Sequence, residues 1–144
     1  MHTVSRMERR ERLALAQGAY FVATGVWPIV HLRSFERVTG PKPEGWLVKT
    51  VGGVVTAVGA ALIAAARNRR VTPEIELLAV GSSAALGAID LFYGGIRRRI
   101  SPVYLAEALL EAGLIAVWTT SRARRPLARR GMPVGWAEGA SARA

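Results

Sequence analysis

Residues 101–120 read SPVYLAEALLEAGLIAVWTT. Wound as an α-helix, this segment is apolar enough to sit in a bilayer, yet Glu107 and Glu111 stand four residues apart on one of its faces. A carboxylate at membrane depth is expensive unless other groups shield it, so this helix requires partners.

Partners are at hand. Three further apolar runs precede it, each of roughly 18–22 residues, the length a helix needs to cross about 30 Å of hydrocarbon. Spans are expected at about 13–32, 47–66, 74–96 and 102–120. A soluble four-helix bundle would show polar residues every second turn, whereas Gly52–Ala66 (GGVVTAVGAALIAAA) carries no charge. The expected fold class is therefore all-α, an integral membrane four-helix bundle. With 144 residues the chain supports one domain. It divides into a basic cytoplasmic leader (1–12), the four-span unit (13–120) and a basic, disordered cytoplasmic tail (121–144). The first run is too long for a signal-peptide core and ends in WPIVHL (27–32) rather than in small residues, so it is expected to be retained as a span.

The formal charge of +10 does not point to nucleic acid, because the arginines sit at the ends of the apolar runs, where anionic lipid head groups lie. With no cysteine, thiol catalysis, Fe–S ligation and disulfides are excluded. His2 and His31 are the only histidines, too few for a His-built metal site, and no cofactor is implied.

Lysine and arginine set the orientation. The leader carries four, the Arg67–Arg70 link three and the tail six; the opposite side carries four between Arg33 and Lys49 and three at Arg97–Arg99. The richer side is expected to be cytoplasmic. That places the protein in the cell inner (plasma) membrane, multi-pass, with both termini inside, although three arginines on the outer side run against the rule.

Within span one, Pro28 has no N–H to give to the carbonyl of Thr24, so a mild bend is expected near its end. Residues 33–38 suit one amphipathic turn at the interface, and Gly40–Gly45 (GPKPEG) is turn chemistry. In span two, Gly52, Thr56 and Gly59 share a face, and small residues at that spacing let helix backbones approach closely. Thr72–Pro73 and Ser101–Pro102 are helix-start signals for spans three and four. Glu76 falls in the first turn of span three and needs no functional account.

Steps of three and four residues place one polar stripe on each span. They are Gln17, Tyr20, Thr24, Trp27 and His31; Lys49, Gly52, Thr56 and Gly59; Glu76, Ser83, Gly87 and Asp90; Tyr104, Glu107, Glu111 and Trp118. Lipid-facing polar groups would go unsatisfied, so these stripes are expected to face one another. At 1.5 Å per residue, Asp90 lies roughly 9 Å below the end of its span and Glu111 roughly 12 Å below the start of its own. An outward-opening polar pocket is expected, floored by Glu111 with Thr24, Thr56 and Ser83 nearby.

The candidate ligand- or proton-binding residues are Glu111, Glu107, Asp90, Lys49 and His31. Each also has a structural role open to it. Lys49 and His31 are close enough to the interface to snorkel. Asp90 and Glu107 suit ion pairs with Lys49 or Arg97–Arg99. Glu111 has no obvious cation at its depth, so it is either protonated or compensated by a ligand or water.

The segments WPIVHLRSFERVTGPKPEGWLVKTVG (27–52) and IDLFYGGIRRRISPVYLAEALLEAGLIAVW (89–118) resemble patterns in small, uncharacterised bacterial four-span membrane proteins, and by length and span number the chain is similar to DoxX-like proteins. That resemblance implies a membrane location and assigns no activity and no residue roles. Three functions follow from the residues. The first is binding of a cation, a proton or a small amphiphile in the pocket, as a minimal carrier. The second is an accessory or scaffolding role, in which the glycine face of span two meets a partner helix or a second copy. The third is an enzyme using Glu107 and Glu111 as acid and base, for which no accompanying nucleophile, metal cluster or phosphate loop is seen.

Overall fold

The computed structural model describes residues 2–97 and 100–123, with side chains from Arg9. Beyond residue 123, the expected tail lies outside the described residues, as do Arg98 and Arg99. Four helices follow in order: α1 (His2–Thr39), α2 (Gly45–Arg67), α3 (Pro73–Asp90) and α4 (Val103–Ala123). Leu91–Ile96 continues α3 with the wider winding of a π-helix, closed by the Arg97 N–H donating to the Phe92 carbonyl at 2.8 Å. No strand occurs among the described residues. The fold is an all-α four-helix bundle.

All four helices are long and apolar enough to cross a membrane, over Arg9–Thr39, Gly45–Arg67, Pro73–Ile96 and Val103–Ser121. Their outward faces are apolar: Val30, Val54, Leu77, Ile96 and Leu109 are each at least 60% exposed. Water would penalise such a surface on every helix, whereas acyl chains do not. The interior holds the polar groups instead, with Gln17, Glu76, Ser83, Asp90 and Glu111 all buried. The protein has the build of a multi-pass membrane protein.

The first span departs from its expected end at residue 32, since α1 runs on to Thr39. Its discontinuity falls not at Pro28 but at His31, where φ is −143° and ψ is 68°. The reason is local. His31 Nδ1 accepts the Ser34 N–H at 3.2 Å and its carbonyl accepts Ser34 Oγ–H at 3.0 Å, so His31 acts as the N-cap of a new helical segment. Trp27 Nε1 donates to Ser34 Oγ at 2.7 Å and stands edge-on to Phe35, holding the bend.

The helices pair as two hairpins, α1 with α2 and α3 with α4, and contacts between the hairpins are sparser. Glycine explains the first pairing. A Cβ on Gly52 would lie 2.5 Å from the Gly25 carbonyl oxygen, and one on Gly25 would lie 2.6 Å from that of Gly52. Gly18 and Gly59 repeat the arrangement, each within 2.7 Å of the other's oxygen. No side chain fits there, and close backbone approach replaces the hydrophobic drive that lipid does not supply. The small-residue face of α2 is thus filled by α1 of the same chain.

Gln17 joins the hairpins. Its Nε2 donates to the Ala79 carbonyl at 2.9 Å and to Ser83 Oγ at 3.0 Å, while Trp118 Nε1 donates to its Oε1 at 2.8 Å. Around it pack Ala14, Leu62, Ala66 and Ala79. Towards the chain ends Arg10 forms an ion pair with Glu76, which is buried rather than merely a first-turn acid.

Gly52→Ala is expected to cost about 1–3 kcal/mol of stability through overpacking. Gly53→Ala, with no atom within 4 Å of its would-be Cβ, should be neutral or slightly stabilising. Denaturant unfolding in mixed micelles measures both; equal effects would mean that the α1–α2 seam is not close-packed.

Candidate functional site

The bundle is tight around Gln17 and opens towards the α1–α2 loop. There a cavity of about 330 Å³ lies between the hairpins. Phe21, Pro28, Val51, Val55, Leu86 and Ile89 supply its apolar walls. Three carboxylates share it: Asp90 near the end of α3, and Glu107 and Glu111 on successive turns of α4. The sequence spacing explains the second pair. Asp90 is brought in where α3 passes into its π-helical turn, a winding that shifts the helix face beyond it.

The acids differ in their surroundings. Glu107 Oε1 accepts the Tyr20 O–H at 3.1 Å, a bond between α1 and α4. Thr24 also lines the cavity, but its hydroxyl donates back to the Tyr20 carbonyl at 2.9 Å. Among the described residues neither Asp90 nor Glu107 forms an ion pair with Lys49 or Arg97, and Arg97 lies instead over the Phe92 ring at 5.5 Å. Glu111 stands apart. It is 0% exposed, and neither carboxyl oxygen has a partner at hydrogen-bonding geometry. Ser83 is its polar neighbour on α3: Ser83 Oγ accepts from Gln17 Nε2, which leaves the Ser83 O–H able to turn towards the Glu111 carboxyl, though the two do not stand at bonding geometry. Gly87 makes room for it, since a Cβ there would come within 3.2 Å of the Glu111 Cβ. Buried polar atoms in proteins are satisfied in the great majority of cases, so an orphaned carboxyl on a cavity wall calls for an explanation.

At the mouth is a cation that the stripes did not predict. Gly40, at φ +87°, turns the chain after α1. Lys42 follows, its N–H donating to Glu36 Oε1 at 3.1 Å and its Nζ donating to the Thr39 carbonyl at 3.1 Å. Its ammonium lies 4.9 Å from the centre of the Tyr104 ring, a cation–π contact on the cavity rim. Burial lowers the Lys42 pKa, and the Glu36 carboxylate opposes that shift.

Of the five candidate residues, the structure brings together Asp90, Glu107 and Glu111. It does not bring His31 or Lys49 to them. His31 is exposed and occupied as a helix cap, and Lys49 is exposed on the first turns of α2, beyond the seam that α1 covers. Trp27 also faces outward, and Thr56 lies in the glycine seam, its hydroxyl donating to the Gly52 carbonyl. Ser83 backs onto Glu111 from outside the main cavity. Lys42 and Phe35 are the additions, and Tyr104 enters from the fourth stripe as expected. A lysine between two prolines, at the same end of the bundle as the acids, was the available signal for the first.

The three carboxyls do not close into a group that could hold a metal ion, nor does any other set of acids and histidines among the described residues. What the arrangement offers is three carboxyl groups in a mostly apolar chamber. The chain matches no protein-family model, and comparison with curated proteins and with solved structures finds no significant match.

The Tyr20–Glu107 bond is expected to couple α1 to α4 by about 0.6 kcal/mol, the mean for hydrogen bonds between helices in membranes. A double-mutant cycle with Tyr20→Phe and Glu107→Leu measures it; a coupling energy of zero would show that the two groups do not interact.

Proposed function

We propose that this protein binds a small organic cation with an apolar body in the chamber lined by Asp90, Glu107 and Glu111. The observation that carries this reading is Glu111: fully enclosed, without a hydrogen-bond partner, and on the wall of an otherwise mostly apolar cavity. A protonated amine supplies both the charge and the N–H donors that the carboxyl lacks, and the apolar walls receive the rest of the molecule. The acids do not form a group that could hold a metal ion, which favours such a ligand over a bare divalent ion needing several oxygens at short range.

The chamber belongs to a protein of the plasma membrane with both termini cytoplasmic, which the excess of lysine and arginine on the terminal side supports. Its mouth, at the α1–α2 loop, then faces outward. A scaffolding role has less support, because the glycine face that would recruit a partner helix is covered by α1.

Three probes with the same tail test the proposal: hexylammonium, hexanol and hexanoate, titrated calorimetrically into the protein in lipid nanodiscs. A unit-charge attraction at 4 Å is worth about 4 kcal/mol at an effective dielectric of 20, before desolvation. Hexylammonium should therefore bind about tenfold or more tighter than hexanol, and hexanoate weakest of the three. Glu111→Gln should remove that preference, and Lys42→Gln, which deletes a like charge from the rim, should strengthen it. Equal affinities for the three probes, or a Glu111→Gln protein that still discriminates, would overturn the proposal.

A further inference from the structure

Glu111 is part of the wall of two cavities, not one. Behind it, between α3 and α4, lies a second space of about 430 Å³. It exists because the two helices meet there through small residues: Ala84, Gly87 and Ala88 on α3, Ala108 and Ala112 on α4. Ala84, Ala88 and Ala112 are exposed, as are the lining residues Leu91 and Leu109, so this groove opens sideways onto the surface that faces acyl chains. Its lining is almost wholly apolar. The two exceptions are Ser83, which is already held by Gln17, and Glu111, whose oxygens have no partner.

The geometry points to this groove as the path by which a single-chain alkyl cation reaches Glu111 from within the bilayer. The inference rests on the cation-binding reading of the central chamber and names its ligand class: an amine with one aliphatic chain, its head at Glu111 and its tail lying between α3 and α4. Charge complementarity selects this occupant. A phospholipid, anionic or zwitterionic, would bring a phosphate towards the Glu111 carboxyl, whereas a single-chain ammonium meets that unpartnered acid with no anionic group of its own. The other route is guarded, since a cation arriving from water at the chamber mouth meets the Lys42 ammonium seated over Tyr104. A ligand already dissolved in lipid avoids that repulsion and leaves its chain in apolar surroundings throughout.

The test uses the full chain in phosphatidylcholine nanodiscs, without detergent. A dodecylamine, present as its ammonium ion and carrying a photoreactive diazirine in mid-chain, is irradiated and the labelled peptides are mapped. Label is expected on the α3 and α4 segments 84–91 and 105–115. Ala112→Trp, which fills the groove from an exposed position, should reduce labelling about tenfold while changing hexylammonium affinity by no more than about twofold. Ala88→Trp, from the facing helix, should do the same, so that misfolding of one variant does not decide the matter. Glu111→Gln should abolish both labelling and the hexylammonium preference. Labelling spread over all four helices, or unchanged by both tryptophans, while hexylammonium still binds through Glu111, would overturn the lateral path and leave the central site standing. Loss of Glu111 dependence for both probes would overturn the two together.

Discussion

Hydrocarbon offers no hydrogen bonds, so a polar side chain held within it must be satisfied by its own protein or remain a cost. Gln17 shows the constraint met in full: both amide groups are bonded, to α3 through Ala79 and Ser83 and to α4 through Trp118. Lipid gives two apolar hairpins little reason to associate, so this three-helix junction sets how they sit against each other. Arg10 and Glu76 add an ion pair on the same side of the bundle. The terminal half is therefore tied together by a buried amide junction and an ion pair.

The opposite end follows from what closure leaves over. Glycine pairs hold α1 against α2 at backbone distance, and α1 then bends at His31 and leans over the loop. The second hairpin cannot follow α2 into that seam, because no backbone contacts of the same kind exist across the hairpins. A chamber opens between them at the level of Asp90, Glu107 and Glu111. Close packing on one side of the molecule thus creates the space on the other.

The two ends also treat charge differently. Glu76 has an arginine. Glu107 has only a phenol, and Glu111 has no bonded partner at all. The cation that lines the chamber, Lys42, sits over Tyr104 and is turned towards the Thr39 carbonyl. An unsatisfied acid facing two cavities is a poor structural device, since an apolar residue of the same size would hold α4 in place at less cost. As a recognition element it is economical.

Span number, the limits of the second to fourth spans and the sharing of a face by Glu107 and Glu111 were legible in the residues alone, because hydropathy and helical periodicity are local properties. So was the close-packing face at Gly52, Thr56 and Gly59, although its complement, Gly18 and Gly25, becomes evident only when α1 is laid antiparallel against it. The first stripe does not carry His31 to the acids, because a stripe extrapolated along a straight helix takes no account of a break, and α1 breaks at His31; Lys49, on an unbroken α2, is exposed. Lys42 was invisible to periodicity because it belongs to a loop. Gln17 as the junction of three helices, and Glu111 as a wall between two cavities, depend on the rotation of each helix about its axis and on which neighbour it meets. Those are set by contacts between residues far apart in the chain, and tertiary structure alone decides them.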